Sequence, residues 1–210
     1  MHTLTIDIET IPSGELPERA KAPGQMKKAE TIEAYETNPD NIMKEYRKRA
    51  LNGLEGQILS IAYKINDGET KCIISSDESK VLEAFEDVLI ELYQQDRPES
   101  VRWIGHNILG FDLPFIYQRA IKHGADKLRW FTPEKNYIFD TMKNFNPWDY
   151  KYMVSLDKCC EFLGIEQSKN GITGKNIYEN FVDGKLEEIA AYNIEDVNNC
   201  YEIYKRLVRL

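Results

Sequence analysis

The stretch TLTIDIET at positions 3–10 alternates apolar and polar residues and carries two acids. An alternation with period two predicts a β-strand over Thr3–Ile8, with the isoleucines facing a core. Because residues i and i+2 of a strand share a face, the carboxylates of Asp7 and Glu9 point to the same place. Hard oxygen ligands of this kind suit Mg²⁺ or Mn²⁺. The alternative is an exposed polar face on an edge strand.

A second acid follows a second predicted strand, Val101–Gly105. The run continues through His106 and Asn107 to Phe111-Asp112, and Leu113–His123 then predicts a helix that Gly124 ends. Ligands of α/β sheets gather at the carboxyl ends of strands, which makes Asp112 a candidate site residue. Aspartate is also a favoured helix N-cap, so a purely structural role for Asp112 stays open.

A third motif lies near the end of the chain, on a helix predicted over Leu186–Arg209. Tyr192 and Asp196 are four residues apart and therefore project from one helix face. Asp196 falls near an apolar stripe made by Ile189, Asn193, Val197, Cys200, Ile203, Tyr204 and Leu207. A lone buried carboxylate is costly, so Asp196 should face a cleft, a core or a partner charge. A boundary residue hydrogen-bonded to Tyr192 is the simpler alternative.

The remaining pattern predicts an α/β protein with a central mixed sheet flanked by helices. Asn66-Asp67-Gly68 is typical of a hairpin turn between two strands. The other predicted elements are strands over Gln57–Ile65, Thr70–Ser75 and Tyr137–Asp140, an amphipathic helix over Ser79–Gln94, and a helix from Ser155 to Leu163. We expect one domain over residues 1–210.

A charged, partly helical insert is predicted at about residues 12–56, with a helix around Thr31–Leu51. Between Arg19 and Arg49 the chain has eight Lys or Arg residues against five Asp or Glu residues. The basic residues could contact phosphates, and a solvated helix of mixed charge is the alternative.

The net charge of −8 speaks against a protein that coats nucleic acid through a broad basic face, though not against an enzyme that acts on it. The four cysteines lack metal-ligand spacing and are expected to be reduced thiols. No apolar run approaches a membrane span of about 20 residues, and the N-terminus shows no secretory signal. We therefore expect a cytoplasmic protein without a membrane partner.

Taken together and in this order, the motifs resemble the DEDD superfamily of 3′→5′ exonucleases. Within it they look most like the proofreading exonuclease domains of family B DNA polymerases and their stand-alone relatives. The tyrosine four residues before the last aspartate marks the tyrosine subclass. Further segments that carry the resemblance are Gly56–Ala62, Phe139–Met142, Ser155-Leu156, Leu163-Gly164 and Ala191–Val197.

The resemblance implies a ribonuclease-H-like fold, two divalent cations (Mg²⁺ or Mn²⁺) and release of 5′-mononucleotides from a single-stranded 3′ end. Asp7 would bridge both ions. Glu9 and Asp196 would complete the shell of the ion that holds the attacking water, and Asp112 would support the second ion. Tyr192 would position the water, because an unperturbed tyrosine pKa of about 10 makes it a poor base at neutral pH.

The resemblance also suggests substrate contacts and partners. Thr10 and Ile11 match the loop that touches the terminal sugar, and His106 and Asn107 match positions that meet the terminal nucleotide. Phe111 could stack on a base, and a place in the core is the alternative for this residue. His106 could equally be a loop residue hydrogen-bonded to the backbone. DNA is favoured over RNA as substrate, and a polymerase or repair complex is a candidate partner.

Two other classes of function stay open at this stage. A non-catalytic nucleic-acid-binding module would be favoured by loss of any of the four acids or the tyrosine, all of which are present. A two-metal phosphodiesterase acting on small oligonucleotides would be favoured by a small, closed pocket.

Overall fold

The computed structural model describes residues 2–95, 101–125, 128, 137–148, 153–168 and 171–209. Its strands are β1 (His2–Pro12), β2 (Gly56–Ile65), β3 (Lys71–Ile74), β4 (Val101–Gly105) and β5 (Ile138–Asp140). Its helices are α1 (Ala29–Glu36), α2 (Pro39–Lys48), a 3₁₀ turn at Arg49–Leu51, α3 (Glu78–Gln95), α4 (Asp112–His123), α5 (Thr141–Phe145), α6 (Leu156–Leu163), α7 (Ile177–Val182) and α8 (Leu186–Leu207).

Within the described residues, the sheet has five strands in the order β3-β2-β1-β4-β5. β1 pairs antiparallel with β2 and parallel with β4, and β4 pairs parallel with β5. The sheet is therefore mixed, as predicted. The parallel strands β1, β4 and β5 end at the same edge, where α/β sheets place their ligand sites.

The central position of β1 excludes the edge-strand interpretation of its acids. β1 lies between β2 and β4, and Thr5 and Glu9 are buried on the face that carries the acids. The pairing shifts register between Glu9 and Thr10, so Leu59 of β2 forms a bulge there. A bulge of this kind increases the local twist and re-aims side chains at the end of the ladder.

Two apolar layers cover the two faces of the sheet. One face packs Leu4, Ile6 and Ile8 against α3, whose Phe85 and Leu89 are buried. The other face packs against α8 through clusters that contain Leu59, Ile104, Ile189 and Cys200. The predicted stripe of α8 is confirmed for Ile189, Asn193, Val197, Cys200, Ile203 and Tyr204, which are all buried, whereas Leu207 is half-buried.

The structure corrects several boundaries. The helix expected around Thr31–Leu51 is two helices and a 3₁₀ turn, because Pro39 begins a new helix that Asn38 caps. Helices α5 and α7 were not predicted, since five or six residues are too few to show a helical period. The strands that form the hairpin are confirmed, with Asn66 at positive φ in the turn.

The cysteines Cys72, Cys159, Cys160 and Cys200 are free thiols, as expected. In the part of the chain that the structure describes, no helix is both long enough and apolar enough to cross a membrane.

Candidate active site and metal centre

Three carboxylates from two elements converge on the α8 side of the sheet. Asp7 and Glu9 come from the central strand β1, and Asp196 comes from α8, which packs across that strand. One oxygen of each carboxylate lies within 4.8 Å of the others. A hard divalent cation takes oxygen ligands of this kind at short range, so the donor set fits Mg²⁺ or Mn²⁺.

Asp112 approaches the same place from a different direction. It is the first residue of α4, and the N-cap position belongs to Phe111, so the N-cap interpretation of Asp112 is wrong. Its Oδ1 accepts a hydrogen bond of 3.2 Å from the backbone N–H of Ile8, between the two acids of β1. Asp112 is 2% exposed and lies outside the group of three converging carboxylates.

Burial raises the pKa values of all four acids, and repulsion by neighbouring carboxylates adds to this rise. The pKa values of Asp7 and Glu9 lie well above the ordinary range, first because both are buried and then because other carboxylates face them. Burial likewise raises the pKa values of Asp112 and Asp196 to about 7. No Lys, Arg or His of the described residues forms an ion pair with these acids. A bound cation would supply the missing countercharge.

Tyr192 lies one helical turn before Asp196, and the interaction of its side chain with Asp196 offsets part of the rise in the pKa of that acid. Burial, followed by the charges of Asp196 and Glu9, raises the pKa of Tyr192 above its usual value of 10. The phenol therefore keeps its proton at neutral pH and can donate a hydrogen bond. Its ring packs against the apolar cluster that contains Ile11 and Leu59.

Asn193 is the main site residue that the sequence analysis did not identify as functional. Its Nδ2 donates to Asp7 Oδ2 at 2.6 Å, and its Oδ1 accepts from Ser60 Oγ at 2.8 Å. The side chain is fully buried, so this chain of hydrogen bonds fixes the orientation of the Asp7 carboxylate. The signal in the sequence that could have identified Asn193 was a polar amide within the apolar stripe of α8, next to Tyr192.

The loop after β4 is held in place by a buried acid, Asp140. Asp140 accepts from the backbone N–H groups of Asn107 and Leu109, and it also caps α5. The ring of His106 lies 2.9 Å from Thr141 Oγ1 and 2.8 Å from the Val154 carbonyl. Both ring nitrogens therefore have protein partners.

The other predicted substrate contacts are partly buried in protein. Thr10 donates from Oγ1 to the Ala50 carbonyl at 2.6 Å. Ile11 is 2% exposed and belongs to a core cluster. Phe111 packs its ring against Phe115 with 5.6 Å between centroids. Asn107 is half-buried at a positive φ of 64°.

A cleft of about 360 Å³ opens beside the acids. Tyr192 and Asp196 line it from α8, and Ile172 and Thr173 line it from the loop before α7. The cleft opens Tyr192 and Asp196 to solvent, so a substrate end could reach these two side chains from this side.

Comparisons with known proteins show the family of this chain. Residues 56–210 match a family described as a predicted 3′–5′ exonuclease related to the exonuclease domain of PolB. The chain belongs to this family. The matched residues include Asp112, Tyr192 and Asp196, whereas β1 with Asp7 and Glu9 precedes them.

Two polymerases are similar to this PolB-related exonuclease domain. A DNA polymerase of Archaeoglobus fulgidus is 26% identical over 170 residues, which cover 72% of this chain and 20% of the polymerase. A solved family B DNA polymerase from Pyrobaculum calidifontis superposes with a TM-score of 0.64 at 17% identity, over 99% of this chain and 24% of that one. The likeness confirms the ribonuclease-H-like exonuclease fold. The chain spans about a fifth to a quarter of the length of these relatives.

Proposed function

We propose that the protein is a metal-dependent 3′→5′ exonuclease that removes 5′-mononucleotides from single-stranded DNA. The observation that carries the proposal is the convergence of Asp7, Glu9 and Asp196 beside Tyr192 in a chain of this family. We propose further that residues 1–210 act as one exonuclease domain, with residues 12–56 as its insert.

The carboxylates would hold two divalent ions, Mg²⁺ or Mn²⁺, with Asp7 shared between them and Asp112 supporting one. When bound, such ions stabilise the attacking and leaving oxygens of an in-line displacement at phosphorus. The bond broken joins phosphorus to the 3′-oxygen of the next nucleotide, and the bond formed joins phosphorus to the oxygen of water.

The chain's own residues would orient this reaction. Asn193 fixes the Asp7 carboxylate. Tyr192, which keeps its proton, would donate a hydrogen bond that positions the attacking water instead of removing its proton. We propose that Thr10, Ile11, His106, Asn107 and Phe111 are the residues nearest the terminal nucleotide, with Ile11 buried beneath the surface. Both ring nitrogens of His106 already have protein partners, so His106 would influence the nucleotide indirectly, through Thr141 and Val154.

The test is a time course on 5′-labelled single-stranded DNA, and on RNA of the same sequence, with EDTA, Mg²⁺ or Mn²⁺. We expect a ladder that shortens from the 3′ end, requires a divalent ion and is lost in Asp7→Ala. A folded protein that degrades neither polymer with either ion would overturn the proposal. Cleavage of RNA but not DNA would overturn the choice of substrate and keep the reaction.

A further inference from the structure

A second concavity lies between α7 and the connection that joins β1 to β2, here called the connection groove. Its volume is about 450 Å³. It is lined by Thr10 at the end of β1, by Lys44, Arg47, Lys48 and Leu51 of the connection, and by Lys175, Ile177 and Tyr178 around α7. The connection precedes the family match at residues 56–210, so this wall of the groove is not part of the matched region.

The groove is held in shape by specific contacts across it. The rings of Tyr46 in α2 and Tyr178 in α7 meet edge to face with 5.6 Å between centroids. Arg47 forms an ion pair with Glu179 on α7. At the other end, the Thr10 hydroxyl donates to the Ala50 carbonyl. The two walls are therefore fixed to each other and to the acidic strand.

The rim of the connection groove is basic in a chain of net charge −8. Arg47 is paired with Glu179, and Lys48 lies 3.6 Å from Glu45. Lys44 and Lys175 are exposed and form no ion pair with any residue that the structure describes. Cations left in solvent around a concave surface attract an anion.

A cleft elsewhere on the molecule shows that this charge pattern is local. The cleft beside β3 has a volume of about 360 Å³ and contains Lys71 together with Glu69 and Glu91. With one lysine and two glutamates, the lining of that cleft is net acidic. Four basic side chains line the connection groove.

The floor of the connection groove offers flat and apolar surface. Leu51 leaves 71% of its surface exposed, and the half-buried ring of Tyr178 lies beside it. Phosphate-binding cations around an aromatic and apolar floor are the combination by which proteins hold single-stranded nucleic acid without reading its sequence.

The groove is also adjacent to the acidic site. Thr10 follows Glu9 directly on β1. The loop over residues 171–175 contributes Ile172 and Thr173 to the cleft of Tyr192, and Gly174 and Lys175 to the connection groove. One loop thus forms part of both concavities.

We infer that the connection groove holds the single-stranded nucleic-acid segment that leads away from the 3′ end in the acidic site. This inference rests on the proposed function and names the surface by which the strand is held. The phosphates contact Lys44 and Lys175, and a base lies against Leu51 and Tyr178.

The test combines Lys44→Gln and Lys175→Gln in the full chain, with Lys71→Gln as the matched control at the other cleft. Binding of 5′-fluorescein-labelled single-stranded DNA of about 12 nucleotides, within the range that one such surface covers, is measured by fluorescence anisotropy in EDTA at several salt concentrations. RNA of the same sequence forms the second arm. We expect the double variant to bind about tenfold more weakly and to lower the salt slope by roughly 0.7 per lysine.

Steady-state kinetics in Mn²⁺ gives an independent readout. The double variant should raise KM for the oligonucleotide with kcat unchanged, and it should leave KM for a dinucleotide unchanged. Equal binding and equal KM in wild type, double variant and Lys71→Gln would overturn the inference. If no substrate is cleaved but the double variant alone loses binding, the proposed function fails, and the connection groove is kept only as a surface that binds single-stranded nucleic acid.

Discussion

Two sites of buried acidic charge pack against this sheet, and they differ in what neutralises the charge. Glu78 at the start of α3 is 5% exposed and is held by Arg119, whose Nε lies 2.8 Å and 3.0 Å from its two oxygens. His123 lies 2.7 Å away, and the Ile58 N–H also donates to Glu78. At the second site, the neighbours of Asp7 are the other carboxylates, Tyr192 and Asn193.

The difference indicates two roles for buried charge. Glu78 and Arg119 satisfy each other and join β2, α3 and α4, so their contribution is to the fold. The four acids repel one another, which costs stability in the absence of a cation. Proteins accept such local conflicts mainly at functional sites. Variants of the two sites should therefore have opposite effects.

The largest effect is expected from Asp7→Asn. It removes a carboxylate that we propose to be shared by both ions, so kcat/KM should fall by at least about a thousandfold, roughly 4 kcal/mol of transition-state stabilisation. In EDTA the variant should unfold at a higher urea concentration than wild type, because burial beside other carboxylates raises the pKa of Asp7 and so costs stability that a neutral amide does not cost. Activity within tenfold of wild type would contradict the role of Asp7.

Glu78→Gln should show the reverse pattern. Loss of the buried charge leaves Arg119 without its partner, so the free energy of unfolding should fall by about 3–5 kcal/mol. The kcat of the folded protein should stay near wild type. Glu83→Gln, an exposed position on the same helix, is the matched control and should change stability by less than about 0.5 kcal/mol.

Asn193→Ala tests what orients the Asp7 carboxylate within the acidic cluster. Without the 2.6 Å hydrogen bond to Asp7, the carboxylate loses its fixed orientation. The Mn²⁺ concentration for half-maximal activity should rise about 10- to 100-fold. Asn198→Ala serves as control, because Asn198 lies on the same helix and accepts from Thr70 instead. A similar change in both variants would argue against a specific role for Asn193.

The smallest effect is on the pH dependence of stability. The unfolded chain releases the protons of Asp112 and Asp196 near the ordinary pKa of 3.8, whereas the folded protein keeps them up to about 7. The folded state therefore binds more protons in this window, and the free energy of unfolding should fall as pH rises.

Urea unfolding in EDTA measures this slope. Asp196→Asn should make it shallower by up to about one proton per molecule. A wild-type slope that is unaffected by this substitution would show that Asp196 ionises alike in the folded and unfolded states.

Local motifs in the sequence were enough to locate the acids and the overall fold. Asp7 and Glu9 lie on a strand with a clear period, and Tyr192 and Asp196 lie one turn apart on a long helix. Asn193 has no local signal of this strength, since its role depends on Asp7, which is 186 residues away in the chain.

The same limitation applies to the β1–β2 connection. Its mixed charge is visible in the sequence, but its docking on α7 through Tyr46 and Tyr178 depends on a helix too short to be predicted. The contact between Asp112 and the Ile8 N–H could not be predicted from local sequence either, because the two residues are 104 positions apart.

Direct measurement of Mn²⁺ binding tests the central claim that the acidic cluster is completed by divalent cations. Free Mn²⁺ is followed by electron paramagnetic resonance during titration of wild type, Asp7→Asn and Glu78→Gln, at a temperature where all three are folded. Wild type and Glu78→Gln should each bind two ions, and Asp7→Asn should lose binding. Equal binding by Asp7→Asn and wild type, or no binding by wild type, would contradict this claim.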